Sequence, residues 1–135
     1  MGKESAVLSN EIIRTIVAEY FAAIRAMDPA AWANTFAEDG VTHDPVGTPP
    51  HQGREALRQF MQGILGMFQE AGLTEDDVFV AGNGAAVKWT ARGVAKNGRR
   101  FQFEGIDVFE VNDAGKIQEV RAYWDAAAVI VQLQS

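Results

Sequence analysis

The spacing of apolar residues predicts three helices in the first half of the chain. From Ser9 to Met27 they recur every three or four positions, which is the period of an amphipathic helix. Asp28-Pro29 predicts the start of a short second helix that turns Trp32 and Phe36 inward, because Asp is a favourable cap and Pro fits the first turn. A third helix, from Arg54 to Phe68, is predicted after a loop rich in proline and glycine.

The remaining segments have the composition and turn sequences that are typical of strands. A short strand is predicted from Val41 to Asp44. Four further strands are predicted at Asp77 to Ala81, Ala86 to Ala95, Arg100 to Val111 and Lys116 to Asp125. Because short turns join them, they are predicted to pair antiparallel. The pattern indicates an α+β domain, in which a curved, mostly antiparallel mixed sheet wraps around three N-terminal helices and leaves a pocket at its open end.

Length and composition indicate one globular domain, residues 1–135. With 47% hydrophobic and 22% charged residues, the chain has enough apolar side chains for a core and too few charges for a disordered protein. The net charge of -6 argues against nucleic acid as a partner, because phosphate binding needs a basic surface. Without cysteine the chain has no thiol nucleophile, thiolate metal site or disulfide.

The sequence predicts no membrane partner. The first residues lack the apolar stretch of a signal peptide. The longest purely apolar run, Ala126 to Val131, is far too short to span a bilayer. We therefore expect a cytoplasmic protein.

Asp107 interrupts the apolar face of a predicted strand. Strict alternation turns Asp107 to the same, buried side as Phe101, Phe103 and Phe109. Burying an unpaired carboxylate is so costly that the group normally takes up a proton, and a neutral aspartic acid is a strong hydrogen-bond donor. A twist of the strand toward solvent or an arginine partner would explain Asp107 without a function, and this strand alone favours that explanation.

Two further polar residues fall at informative positions. Tyr20 lies on the buried stripe of the first predicted helix, where a tyrosine with one hydrogen-bond partner is a common core residue. Asp44 ends a short strand before a Pro-Gly loop, and a turn in which the Asp side chain bonds the backbone would explain it. Packing and turn geometry explain each residue singly but explain the trio of Tyr20, Asp44 and Asp107 less well.

Several segments around these residues carry a family resemblance. They are Tyr20-Phe21-Ala22-Ala23, Phe36-Ala37-Glu38-Asp39, Asp44-Pro45-Val46-Gly47, Gly105-Ile106-Asp107-Val108-Phe109 and the stretch from Ala114 to Trp124. In order and spacing they resemble the bacterial Δ5-3-ketosteroid isomerases of the NTF2-like (SnoaL-like) superfamily, over most of the chain from about Ile16 to Trp124. The Phe-Ala-Glu-Asp and terminal Arg-Ala-Tyr-Trp segments are similar to the wider superfamily. The Asp-Pro-Val-Gly segment resembles a narrower group, the ketosteroid isomerases.

The resemblance implies a fold, a reaction and the roles of three residues. The fold is the NTF2-like cone, and the reaction moves a C=C bond of a steroid into conjugation with a ketone. Asp44 falls on the family's general base, kept ionised by a partly solvated loop, and Tyr20 with a protonated Asp107 falls on its oxyanion hole. The resemblance also implies an apolar small-molecule substrate, a homodimer, and neither a metal nor an organic cofactor.

Large apolar side chains are the candidates for contact with substrate, and these are Trp124, Phe60, Met61, Phe109 and Phe36. Trp124 is placed nearest the ligand because the family has a large aromatic residue there. Met61 stands where family members typically have a second tyrosine that is hydrogen-bonded to the oxyanion-hole tyrosine. Phe36 stands where some members have another tyrosine. The hydrogen-bond network behind Tyr20 is therefore expected to be shorter than in typical members.

Two other functions stay open at this point. The same pocket would suit a SnoaL-like cyclase or dehydratase that acts on another apolar ketone, and Met61 is the main support for that alternative. A non-catalytic module that binds small ligands is the other. His43 and His51 match no reliable metal-ligand spacing and are predicted at the surface, and Arg121 is predicted to form an ion pair on the sheet face.

Overall fold

The structure is a computed structural model that describes residues 8–134. In chain order its elements are α1 (Asn10–Arg25), α2 (Pro29–Ala33), β1 (Phe36–His43), β2 (His51–Gln52), α3 (Arg54–Leu65), β3 (Phe68–Ala81), β4 (Gly84–Ala95), β5 (Arg100–Val111), β6 (Ile117–Tyr123) and α4 (Ala126–Leu133). In the described part of the chain, every helix is too short or too polar to cross a membrane.

The strands form one mixed sheet of six, in the order β2-β1-β6-β5-β4-β3. All neighbours are antiparallel except β1 and β6, which run parallel, with Thr42 opposite Val120 and His43 opposite Arg121. The pairing register shifts within β1, within β3 and near the end of β5. Such irregularities bend and twist a strand, and this sheet is curved, as predicted.

The first helix forms for the reasons that its sequence suggests. The Ser9 side chain caps it by accepting a hydrogen bond from the backbone N–H of Ile12 at 3.1 Å. Its buried stripe includes Ile13, Val17 and Tyr20 and packs mainly against β3. The short α2 is capped by Asp28 in the same way and places Trp32 in the core, as predicted.

The prediction of three N-terminal helices was wrong, because the described residues form four helices and α2 has only five residues. The fourth, α4, follows the last strand and was not predicted. It forms from the apolar run Ala126–Val131, which is too short for a membrane but long enough for a helix once the Asp125 side chain accepts from Ala128 N–H at 3.1 Å. The mixed sheet and the α+β class are confirmed.

Two strands begin earlier than predicted. Phe36 belongs to β1 and not to α2, since it lies opposite Ile117 in the parallel pairing with β6. Phe68 begins β3 and does not end α3, which stops at Leu65. Pairing with distant strands decided both boundaries, and local residue preferences do not reveal it.

The predicted alternation along β5 is confirmed. Phe101, Asp107 and Phe109 are buried on the inner face, whereas Ile106 and Val108 are exposed on the outer face. Asp107 therefore points toward the helices, and no twist turns it to solvent. The sheet thus delivers a carboxyl group to the concave side of the fold.

Gly105 on β5 makes room for Trp89 on the neighbouring strand. A Cβ at Gly105 would lie 2.4 Å from the Trp89 ring and 2.7 Å from the Tyr123 carbonyl oxygen. We expect Gly105→Ala to lower the free energy of unfolding by about 1–3 kcal/mol, because ring and backbone must both shift. Urea unfolding measures this change.

Gly63→Ala is the matched control. Gly63 lies in α3, and a Cβ there would meet no other atom within 4 Å. Alanine favours helix over glycine, so this variant should be more stable than the parent by about 0.5–1 kcal/mol. An unchanged urea midpoint for Gly105→Ala would contradict the tight contact with Trp89.

Candidate active site

A cavity of about 240 Å³ opens between the inner face of the sheet and the helices. Its wall comes from α1, α3, β3, β4, β5 and α4, and it is almost entirely apolar. Among residues 8–134 the polar side chains in this wall are Tyr20, Asp44 and Asp107, together with the indoles of Trp89 and Trp124. Two depressions elsewhere on the surface, of about 530 and 440 Å³, are larger but more open and contain none of these residues.

The structure thus brings the three predicted catalytic residues to one cavity, and strand β6 sets the position of two of them. Asp107 lies opposite Ala122 of β6 in the pairing of β5 with β6. The backbone N–H of Val46, in the loop that follows Asp44, donates to the carbonyl oxygen of the same Ala122 at 2.8 Å. Both aspartates are therefore held through one residue of β6.

Tyr20 is buried in a cluster of aromatic rings, with 2% of its surface exposed. Its ring lies 4.9 Å from that of Phe109 in an edge-to-face contact, 5.6 Å from that of Trp32 and 6.1 Å from that of Phe36. Burial raises the pKa of Tyr20 well above its ordinary value, and the charges of Asp107 and Asp44 raise it further, while the Trp32 indole acts in the opposite direction. Tyr20 therefore stays a hydrogen-bond donor.

Asp107 has only 3% of its surface exposed, and no arginine or lysine pairs with it in the described structure. Burial raises its pKa well above the ordinary value, the negative charge of Asp44 adds to this, and the Trp89 indole opposes both. Its Oδ1 atom is enclosed and has no hydrogen-bond partner among residues 8–134. These surroundings favour the protonated form of Asp107 over the ionised form.

Asp44 directly follows β1 and keeps partial contact with solvent. The indole Nε1–H of Trp124 donates to its Oδ1 at 2.6 Å. Burial raises the pKa of Asp44 above its ordinary value, and the hydrogen bond from Trp124 and the electrostatic effect of nearby His51 only partly offset this rise. Of the two carboxyl groups, Asp44 therefore has the surroundings that better stabilise an ionised form, and Trp124 contributes to this together with the loop's exposure to solvent.

The five predicted substrate contacts divide into two groups. Trp124 and Met61 line the cavity. Phe36, Phe60 and Phe109 lie outside its lining. Phe36 and Phe109 are buried against Tyr20, and Phe60 stacks on His51 with ring centroids 4.2 Å apart. These three rings support the residues of the site from behind.

Sequence reasoning missed the contribution of α4 to the cavity. Val129, Ile130 and Leu133 line it, and the Gln132 side chain ties the helix to β5 by exchanging two hydrogen bonds of 2.9 Å with the backbone of Gln102. The apolar run after Asp125 was the sequence feature that could have indicated this helix. Trp89 was also not singled out as a site residue, although alternation along β4 places it on the inner face.

His43 and Arg121 lie where the sequence predicted. The Nε2 atom of His43 is 2.8 Å from Glu119, and Arg121 is 3.1 Å from the same carboxylate. Neither residue lines the cavity. They form part of a charged cluster on the sheet.

Comparison with known proteins gives relatives over nearly the whole chain. The family model of the SnoaL-like domain matches residues 17–120. A steroid Delta-isomerase of Nocardioides simplex is 30% identical over 120 residues, which is 88% of this chain and 94% of that protein. The solved structure of SalBIII, an epoxide hydrolase/cyclase-like enzyme with a role in pyran ring formation in the polyether salinomycin, superposes with a TM-score of 0.79.

SalBIII is 27% identical to this protein, and the match covers 88% of this chain and 95% of that one. The two relatives are thus enzymes with different reactions on one fold, an isomerase and a cyclase-like protein. The resemblance to the NTF2-like superfamily that the sequence suggested is confirmed at the level of the domain. Because the family model covers most of the chain, the protein belongs to the SnoaL-like domain family.

Proposed function

We propose that the protein is a cofactor-independent isomerase of the ketosteroid type, which moves a C=C bond into conjugation with a ketone. One observation carries this proposal. Two carboxyl groups and one phenol converge in an otherwise apolar cavity, and their surroundings favour a proton on Asp107 and Tyr20 more than on Asp44. A base beside two donors is what enolate chemistry requires.

Asp44 is the base in this mechanism. It removes the proton that lies between the alkene and the ketone and returns it two carbons away, so that the enzyme gains and loses no proton in a full cycle. The Trp124 N–H holds one carboxylate oxygen, Oδ1, and leaves the other free to receive the proton. The same hydrogen bond stabilises the ionised form, which a base must have before it reacts.

Tyr20 and Asp107 stabilise the charge that this step creates. Loss of the proton leaves a dienolate whose negative charge collects on the former ketone oxygen, and the two O–H groups donate to that oxygen. Because apolar side chains surround them, these hydrogen bonds act in a medium of low dielectric constant and are stronger than in water. Met61 has no hydroxyl group that could bond to Tyr20. The polar side chain that acts on Tyr20 from the side away from the cavity is therefore that of Trp32.

An apolar substrate such as a steroid fits the wall of this cavity, since burial of apolar surface supplies the binding free energy. The relationship to a steroid Delta-isomerase supports the same substrate class. The homodimer and the cytoplasmic location that the sequence suggested stay predictions.

Replacing the base tests the reaction directly. We expect Asp44→Asn to slow the isomerisation of 5-androstene-3,17-dione at least about 100-fold, because a positioned general base contributes that much or more. Ligand binding should persist, since the amide has the shape of the carboxylate. The ultraviolet absorbance of the conjugated enone product measures turnover, and quenching of the intrinsic tryptophan fluorescence, to which Trp89 and Trp124 of the cavity wall contribute, measures binding.

Asp39→Asn is the control for this experiment. Asp39 is an exposed aspartate on β1 whose Oδ1 accepts from Gln118 at 3.0 Å, and an asparagine oxygen can accept the same bond. This variant should isomerise the steroid at the parent rate. Equal rates for Asp44→Asn and the parent would exclude Asp44 as the base.

The raised pKa of Asp107 predicts a dependence of stability on pH. In the unfolded chain an aspartate ionises near pH 3.9, whereas buried Asp107 keeps its proton to higher pH. Above about pH 4 the folded state therefore binds more protons than the unfolded state, and the free energy of unfolding falls until the pH passes the folded pKa. Asp107→Asn lacks this contribution.

Urea unfolding of both proteins from about pH 4 to 8 measures the effect. The free energy of unfolding of the parent, minus that of Asp107→Asn, should decrease with pH by at most about 1.4 kcal/mol per pH unit. The opposite slope would show that Asp107 is ionised and stabilised in the folded protein. Because the charge of Asp44 raises the pKa of Asp107, the difference reports the titration of Asp107 together with its coupling to Asp44.

A second candidate function is cyclisation, which the structural likeness to SalBIII favours. Asp44 would remove the proton of a hydroxyl group, whose oxygen attacks an epoxide carbon, while Asp107 or Tyr20 gives a proton to the epoxide oxygen as its C–O bond breaks. One C–O bond forms, one breaks and no water is consumed, and the enzyme is restored when the proton on Asp44 is returned to the residue that gave one up. The same acid and base residues serve both reactions.

Two substrates distinguish the candidates. An isomerase should convert 5-androstene-3,17-dione and leave an apolar hydroxy-epoxide of similar size unchanged. A cyclase should convert the hydroxy-epoxide to a cyclic ether, seen as a new product of identical mass by chromatography, and should bind the steroid without isomerising it. Loss of either activity in Asp44→Asn assigns that activity to this cavity.

A further inference from the structure

We propose that Trp89 is a positioning residue for Asp107. Its indole N–H donates to Oδ1 of Asp107 when a ligand fills the cavity, and this directs the protonated Oδ2 toward the ligand. The orientation of Asp107 is a property of the protein itself, whereas its effect on turnover rests on the proposed isomerase function. The register of β4 and β5 and two buried polar atoms without partners support this role.

The register of β4 and β5 brings the two side chains together. Val87 lies opposite Asp107, and Trp89 lies opposite Gly105. Residues two apart on a strand share a face, so Trp89 and Asp107 both project from the inner face of the sheet. Because Gly105 has no side chain, the Trp89 ring occupies the space above it, where a Cβ would lie 2.4 Å from the ring. The indole therefore lies along β5 next to Asp107.

Each of the two side chains has an enclosed polar atom without a partner. Nε1 of Trp89 is an unpaired donor, and Oδ1 of Asp107 is an unpaired acceptor, among residues 8–134. Such buried groups are costly when unsatisfied, and a donor beside an acceptor removes both costs with one bond. The Trp89 N–H also opposes the rise of the Asp107 pKa, as expected for a donor that lies close to the carboxyl group.

In this proposal, binding of a ligand in the cavity brings the Trp89 N–H within hydrogen-bond distance of Oδ1 of Asp107. Hydrogen bonds of active sites are often long in the empty protein and shorten when a ligand binds. Phe103 lines the cavity, and its ring packs edge-on against Trp89 with centroids 5.5 Å apart. A ligand that presses on Phe103 therefore presses through it on Trp89.

The bond would give the two oxygens of Asp107 different roles. When Oδ1 accepts from Trp89, the proton is held by Oδ2, which then donates to the ligand. The titratable groups that face Asp107 in the described structure are Asp44, from the end of β1, and Tyr20, from α1. Its neighbours across the strands, Val87 and Ala122, do not titrate. Asp44 and Tyr20 are present in the parent and in both Trp89 variants, so a difference in the Asp107 pKa between these proteins reports the change at Trp89.

The test replaces Trp89 with 3-benzothienylalanine, an isostere in which sulfur takes the place of N–H, and uses Trp89→Phe as a second variant. The carboxyl carbon of Asp107 is followed by NMR from acid to alkaline pH, with and without 2-naphthol as an oxyanion probe. We expect a higher Asp107 pKa in both variants, because loss of a donor destabilises the carboxylate. In the parent, 2-naphthol should move the Trp89 indole N–H resonance downfield.

The isostere at Trp32, whose indole faces Tyr20, is the matched control and should leave the Asp107 pKa unchanged. An unchanged pKa with the isostere at Trp89, whether or not Trp89→Phe changes it, would overturn the proposal. These NMR readouts need no turnover, so they decide it even if the protein is no isomerase. If it is, kcat should fall about tenfold with little change in KM, as expected for one misplaced donor, and the alkaline limb of kcat should move to higher pH.

Discussion

Removal of water from around Tyr20, Asp44 and Asp107 is the constraint on which the site depends. In water the two carboxyl groups would ionise alike, and neither would donate a hydrogen bond at neutral pH. Inside the apolar cavity the ionised form is costly, and a second negative charge nearby makes it costlier. The cost is smaller at Asp44, where the Trp124 N–H donates to the carboxylate and the side chain keeps partial contact with solvent. The surroundings of the two aspartates therefore favour a proton on Asp107 more than on Asp44.

The sheet provides the fixed distances that such a site needs. Strand β6 lies between β1 and β5 and contacts both halves of the site, because Ala122 pairs with Asp107 and also accepts from the loop after Asp44. Side chains on rigid strands keep their positions better than side chains on loops. The aromatic cluster of Trp32 from α2, Phe36 from β1 and Phe109 from β5 fixes the ring of Tyr20. Packing behind the cavity thus sets the geometry within it.

The same constraint explains how one domain family contains an isomerase and a cyclase-like enzyme. An acid and a base held apart in an apolar cavity can serve any reaction in which one proton leaves and another arrives. The substrate that fits the wall then decides the reaction. In this protein the wall includes α4, which is tied to β5 through Gln132 and contributes Val129, Ile130 and Leu133.

The sequence by itself determined which side chains point inward. Alternation along β5 placed Asp107 inside, helical spacing placed Tyr20 on the buried stripe of α1, and the family resemblance added Asp44 and Trp124. The periods of 3.6 residues in a helix and two in a strand are local properties of the sequence, so they can be recognised before the fold is known. Tertiary structure decided the early starts of β1 and β3, the closure of the cavity by α4, and the packing of the Trp89 ring over Gly105. Each of these depends on segments far apart in sequence, so only the packed molecule specifies them.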